Sequence, residues 1–225
     1  MSKSEAVWAQ VDNYITGTIP HNDAALDDAI EANKQAGLPA IDVSAPQGKL
    51  LHVLALAIGA KRILEVGTLG GYSTTWLARA LPADGHVVTL EYSPKHAEVA
   101  RKNLDAAGIG AKVEIRVGAA ADSLEKLATE STAPFDLIFI DADKGNNPLY
   151  VQGALKLARK GTVIIVDNVI RDGAVLEADS TDTNIVGTRR MFELVGKEPR
   201  LTATALQTVG GKGYDGFVMA VVTGD

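Results

Sequence analysis

Two apolar runs along the chain end abruptly on carboxylates. Leu137-Ile138-Phe139-Ile140 stops at Asp141, and Val163-Ile164-Ile165-Val166 runs into Asp167-Asn168. Such short, dense runs read as strands buried on both faces, as in a parallel sheet covered by helices. They belong to a series of β-rich segments at 62–67, 86–91, 112–118, 135–141 and 161–167. Helical segments at 72–81, 93–108, 119–130 and 146–159 separate them. This alternation predicts a doubly wound α/β sheet. Residues 4–59 read as helical in three pieces, 4–15, 22–37 and 46–59, with Asn22 or Asp23 as an N-cap and Gly37 and Gly59 as C-caps. At the other end, 202–209 and 216–222 are joined by the loop 210–215, an antiparallel pair expected to close the sheet edge. No repeat, low-complexity tract or Pro/Gly linker intervenes. The expectation is one domain over 1–225, a helical extension (1–59) on an α/β core (60–225).

Composition changes this picture little but removes alternatives. The 225 residues suit one domain with a sizeable core. A net charge of −6, with no basic run, argues against nucleic acid. The absence of cysteine excludes disulfides, thiolate zinc sites and a cysteine nucleophile. The N-terminus has no apolar signal-like region, and the longest apolar stretch, 50–60, is too short to span a bilayer. A cytoplasmic protein that engages no membrane is expected.

In open α/β sheets, ligands bind beyond the carboxyl ends of the strands. The first strand ends in Glu65-Val66-Gly67, and glycines at 67, 70 and 71 allow a tight turn and close ligand approach. The second strand ends in Glu91, where an acid can grip a ribose diol. The spacing G-x-x-G-G differs from a dinucleotide clamp, and Glu65 is a poor neighbour for phosphates. An amino acid joined to a nucleoside suits both acids; strand–helix packing remains the alternative use of the turn.

The segment "EVGTLGGYSTTWLARALP" with the following "VVTLE" resembles the cofactor-binding region of class I S-adenosylmethionine-dependent methyltransferases. "FDLIFIDADK" and "VIIVDN" resemble the cation-dependent O-methyltransferases, the group that includes caffeoyl-CoA and catechol O-methyltransferases. "RDGAV" and "QTVGGKGYDGF" are similar to the small bacterial members. The resemblance spans about 40–223 and implies a Rossmann-like seven-stranded sheet with a reversed last strand. It also implies a divalent metal, a phenolic acceptor (often a vicinal diol) and a homodimer.

Carried over residue by residue, the resemblance implies metal ligation by Asp141, Asp167 and Asn168. All three offer hard oxygen donors, suited to Mg²⁺, Mn²⁺ or Ca²⁺. It makes Lys144 the candidate base, because a nearby dication and desolvation both disfavour its ammonium form. Glu65, Gly67, Thr68 and Ser73 would surround the methionine part of the cofactor, Glu91 the ribose and Ala120 the adenine. Asp141 would touch both metal and cofactor amine, and Val43 could contribute only its backbone. Asp143 is read as substrate-orienting or solvated. The four histidines show no ligand spacing, Trp8 and Tyr14 are expected to pack the N-terminal helix, and 177–184 reads as a polar loop. A non-catalytic S-adenosylmethionine-binding protein and a nucleotide-cofactor oxidoreductase remain as alternative functions.

Overall fold

The computed structural model describes residues 3–19, 22–130 and 133–224; His21 lies outside them. Three helices open the chain: α1 (Lys3–Thr18), α2 (Ala24–Gln35) and α3 (Ala45–Ala57). Asp23 caps α2 by accepting from the Leu26 amide, and Ser44 caps α3 by accepting from Gln47. Gly37 and Gly59 follow α2 and α3 with φ of 67° and 61°, the left-handed geometry in which glycine ends helices.

The core then alternates β1 (Arg62–Val66), α4 (Tyr72–Ala80), β2 (His86–Glu91), α5 (Pro94–Ala106), β3 (Val113–Val117), α6 (Ala120–Thr129), β4 (Phe135–Ile140), α7 (Asn147–Lys156) and β5 (Ala158–Asp167). α8 (Thr183–Lys197), β6 (Leu201–Gly210) and β7 (Gly213–Val222) complete it. The seven strands lie in the order β3-β2-β1-β4-β5-β7-β6. β1 to β5 are parallel, and β7 runs antiparallel between β5 and β6. The expected doubly wound sheet with a reversed last strand is therefore present.

Alternate strand residues face opposite sides. Leu64, Val66, Ile138, Ile140, Ile164 and Val166 meet Leu124, Val151 and Met191 on one side. Ile63, Leu137, Phe139, Val163 and Ile165 meet Leu26, Leu51, Trp76 and Leu104 on the other. The strand order reverses between β1 and β4, so their carboxyl ends open the crevice where such sheets bind ligands. Among the described residues no helix is long and apolar enough to cross a membrane.

Three expectations need correction. The predicted helix 146–159 stops at Lys156, because Ala158 already pairs with Phe135 across β4–β5. The polar loop 177–184 is shorter than expected: Asp182 caps α8, accepting from the Asn184 amide. Tyr14 is 72% exposed, so it is largely uncovered rather than packed under the N-terminal helix.

Candidate active site

A cavity of about 740 Å³ opens over the carboxyl ends of β1, β2 and β4, within the range of roughly 300–1,000 Å³ usual for small-molecule sites. Val43, Gly67, Thr68, Ser73, Glu91, Ala120, Asp141, Lys144 and Asn168 all line it. A second cavity of about 610 Å³ adjoins it and is lined by Asp167, Asn168 and the β6–β7 turn. Ile41, Asn168 and Arg171 border both.

The glycine turn is built from backbone that side chains rarely adopt. Gly67 has φ of 103°, and a Cβ there would sit 2.0 Å from the Asp141 carbonyl oxygen. The turn can therefore approach β4 only without a side chain. Its far end is held by Asn103, whose Nδ2 donates to the Gly70 carbonyl (2.9 Å) and to Asn33 Oδ1 (3.0 Å). Asn33 in turn donates to Asp42 Oδ1 at 2.9 Å, tying α2 to the cavity rim. Both asparagines are buried. Neither is legible as a site residue, because their partners lie at least nine positions away in sequence.

Glu65 lies beneath the cavity rather than on its wall. It is fully buried and points with Thr89 toward α4. Ser73 donates to Oε1 at 2.7 Å, while Thr74 and Thr89 donate to Oε2 at 2.5 and 2.6 Å. Burial pushes its carboxyl up to about 7; the three hydroxyls work against that rise and the charge of Asp141 adds to it. Any contact of Glu65 with a ligand in the cavity runs through Ser73, which does line it.

Glu91 braces the turn as well as lining the cavity. Its Oε2 accepts from the amides of Thr68 (3.2 Å) and Leu69 (2.8 Å), and Oε1 accepts from the Ser93 amide (2.9 Å). His96 Nδ1 sits 3.3 Å from Oε1, and its ring also lines the cavity. Spacing along the chain assigns His96 no role; the turn from β2 into α5 brings it beside Glu91.

At the ends of β4 and β5, Asp141, Lys144 and Asp167 form a charge cluster in which Lys144 and Asp167 are buried and Asp141 is partly exposed. Lys144 Nζ donates to Asp141 Oδ1 at 2.6 Å. Lys144 is only 7% exposed because α8 packs on its turn: a Cβ on Gly187 would sit 2.3 Å from the Lys144 carbonyl oxygen. Burial drives the Asp167 carboxyl upward, the neighbouring Asp141 charge adds to this, and Lys144 and Gln47 oppose it. Asn168 follows with φ of 54°, a left-handed conformation that asparagine tolerates. Asp143 is held in place, accepting from Asn146 Nδ2 (2.6 Å) and from the Tyr150 hydroxyl. Among the described residues no three His, Cys, Asp or Glu side chains form a ligand cluster; the strand-end set is two carboxylates and one amide.

A family model described as O-methyltransferase matches residues 18–219. The chain belongs to the O-methyltransferase family. It is 56% identical over 212 residues to a catechol O-methyltransferase of Mycobacterium tuberculosis, covering 94% of each chain. It superimposes on the Bacillus cereus O-methyltransferase in complex with SAH with a TM-score of 0.96 and 54% identity, covering 97% of this chain and all of the other. The Streptomyces achromogenes O-methyltransferase TomG in complex with SAM gives 0.95 and 49%, with both chains fully covered. The expected enzyme class, an O-methyltransferase, is thereby borne out.

Proposed function

We propose that this O-methyltransferase moves the methyl group of S-adenosylmethionine to a phenolic, catechol-type hydroxyl, with a divalent cation held by Asp141, Asp167 and Asn168. The observation that carries the reading is the pair of carboxylates at adjacent strand ends, on the border of two joined cavities. Two acids this close raise the cost of ionising both, and Lys144 supplies a single compensating charge. The donor set fits Mg²⁺ or Mn²⁺, since all three side chains offer hard oxygens and few protein ligands leave room for others. When bound, the cation would acidify a phenolic hydroxyl and stabilise the anion it becomes.

The larger cavity holds the methyl donor in this reading. SAM and SAH, its demethylated form, are the ligands of the two similar solved structures. Glu91 grips the ribose, the Gly67–Thr68 backbone and Ser73 receive the amino-acid part, and the Ala120 end receives the adenine. The second cavity takes the acceptor. With the cation taking over the charge compensation, Lys144 would serve as the neutral amine whose Nζ accepts the hydroxyl proton, while Tyr150 and Asn146 keep Asp143 fixed beside it. Catalysis then comes largely from holding the hydroxyl oxygen in line with the methyl group.

The same reading includes a homodimer. α1 packs on α3 and β6, and these elements expose Val7, Val11, Tyr14, Val53, Leu56, Leu206 and Val209. An apolar patch spread over three packed elements is what a partner surface covers.

Turnover on a catechol, measured beside SAH affinity with and without chelator, tests the function. EDTA should abolish methyl transfer and leave SAH affinity within about threefold, since the cofactor contacts lie mainly at the β1 and β2 ends. Mg²⁺ or Mn²⁺ should restore it, and Asp167→Ala should resist rescue. Full turnover in EDTA would refute the cation.

A further inference from the structure

Arg171 is the cationic side chain of the acceptor region whose shielded Nε lacks a partner among the described residues. It borders both cavities together with Asn168. The other charged groups of the second cavity are engaged: Asp167 accepts from Gln47 and lies beside Asp141 and Lys144. Asp12 Oδ2 accepts from the Gly211 amide at 2.7 Å. Asp215 Oδ1 takes the amides of Ile170, Arg171 and Gly216 at 2.9, 3.0 and 2.9 Å. Lys212 donates to the Asp42 carbonyl. A shielded guanidinium donor left unpaired is costly, because its lost hydration is not replaced.

The backbone beneath it is built for this placement. Arg171, Asp172 and Gly173 have φ of 58°, 55° and 89°, three consecutive left-handed residues, two of them not glycine. Such strain persists only where surrounding contacts over-determine it. Here the Asp215 carboxylate, projecting from β7, clamps the Ile170 and Arg171 amides. Glycine would relieve the strain at 171 but would remove the guanidinium.

We infer that Arg171 selects acceptors carrying an anionic group on the ring or its side chain, a carboxylate in the simplest case. The inference rests on the catechol reading and narrows its substrate class. The cation proposed at Asp141, Asp167 and Asn168 would offset the charge of the two carboxylates, and a guanidinium on the same wall would bind a carboxylate of the acceptor through two parallel hydrogen bonds. Neutral catechols gain nothing from it, and cationic ones are disfavoured.

The test compares 3,4-dihydroxybenzoate with 3,4-dihydroxybenzamide, which share the diol and differ in charge. Arg171→Gln should lower kcat/KM for the benzoate roughly 10- to 100-fold, mostly through KM. The amide should change less than about threefold, a difference too small to represent a lost charge-assisted bond. Arg171→Lys should recover part of the preference. All these residues carry a Cβ, so the backbone strain at 171 is held constant. Equal losses on both acceptors, or a fall in SAH affinity, would overturn the inference by making Arg171 a structural or cofactor residue. Calorimetric binding of the benzoate separates the two readings. Tighter binding to the wild type than to Arg171→Gln, with neither catechol methylated, would refute the function and keep the anion preference. Equal binding to both proteins would refute the preference.

Discussion

At the scale of single residues, the buried acid Glu65 shows how far a polar network can offset burial. Three hydroxyls donate to its two oxygens, and hydrogen bonds to a charged group stabilise by about 1.5–3 kcal/mol each. Desolvation still prevails, and the carboxyl sits at about 7 instead of 4.5. A folded-state value above the unfolded one contributes stability that is fully present below the unfolded value. That contribution is lost as pH rises through the folded one. Between about pH 4.5 and 7, Glu65 should therefore make folding progressively less favourable, by on the order of 3 kcal/mol in all. Glu65→Gln has no such proton to lose. Denaturant unfolding of both proteins in chelator should show the variant gaining on the wild type across this window and levelling off above it. Parallel pH profiles would mean that Glu65 ionises as an ordinary carboxylate. The strand-end acids Glu91, Asp141 and Asp167 were legible in the sequence because each terminates a β-rich run, and Glu65 because it stands one residue before the end of β1. Thr89 was not: within "HVVTLE" it reads only as a β-former, and its donation to Glu65 depends on strand pairing. His96 was equally hidden, since its proximity to Glu91 arises from the turn between β2 and α5.

Among the elements, the spacing of β1 and β4 governs both halves of the candidate site, because the glycine turn and Asp141 leave from their paired ends. Gly67 sets that spacing. With φ of 103° and the Asp141 carbonyl in the path of a Cβ, Gly67→Ala must both strain the backbone and push the strands apart. The cost should be roughly 2–5 kcal/mol. Gly59→Ala is the control: its φ is 61° but nothing lies within 4 Å of its Cβ position, so it should cost only about 1–2 kcal/mol. Equal losses in chemical denaturation would mean that the turn yields without disturbing β4. The strands and most helices were legible from apolar patterning, yet α8 was missed for a physical reason. Its fifth residue, Gly187, disfavours helix locally, and it stands where Lys144 and Gly145 leave no room for a side chain. The spacing of Ile185, Thr188 and Met191, all buried, carried the helical signal. The polar run before it concealed Asp182 as the cap.

For the whole molecule, the helical extension would couple the proposed dimer to the cavity proposed for the acceptor. Val7, Val11 and Tyr14 lie at i, i+4 and i+7, so α1 presents one continuous apolar stripe, and all three are about half exposed or more. The neighbouring residue Asp12 lines the second cavity and holds the β6–β7 turn through the Gly211 amide. A partner covering the stripe would thus also steady the wall proposed to hold the acceptor. Val11→Asp places a charge on the stripe without removing a contact from the core, so the fold should survive. Sedimentation should find the wild type dimeric and the variant monomeric at micromolar concentration. The kinetic consequence should be one-sided. Acceptor KM should rise several-fold as α1 loosens, while SAH affinity stays unchanged, because its proposed contacts sit on β1, β2 and their turns. A wild type that sediments as a monomer would remove the dimer from the reading. A dissociated variant with unaltered acceptor KM would show that α1 needs no partner to hold Asp12 in place.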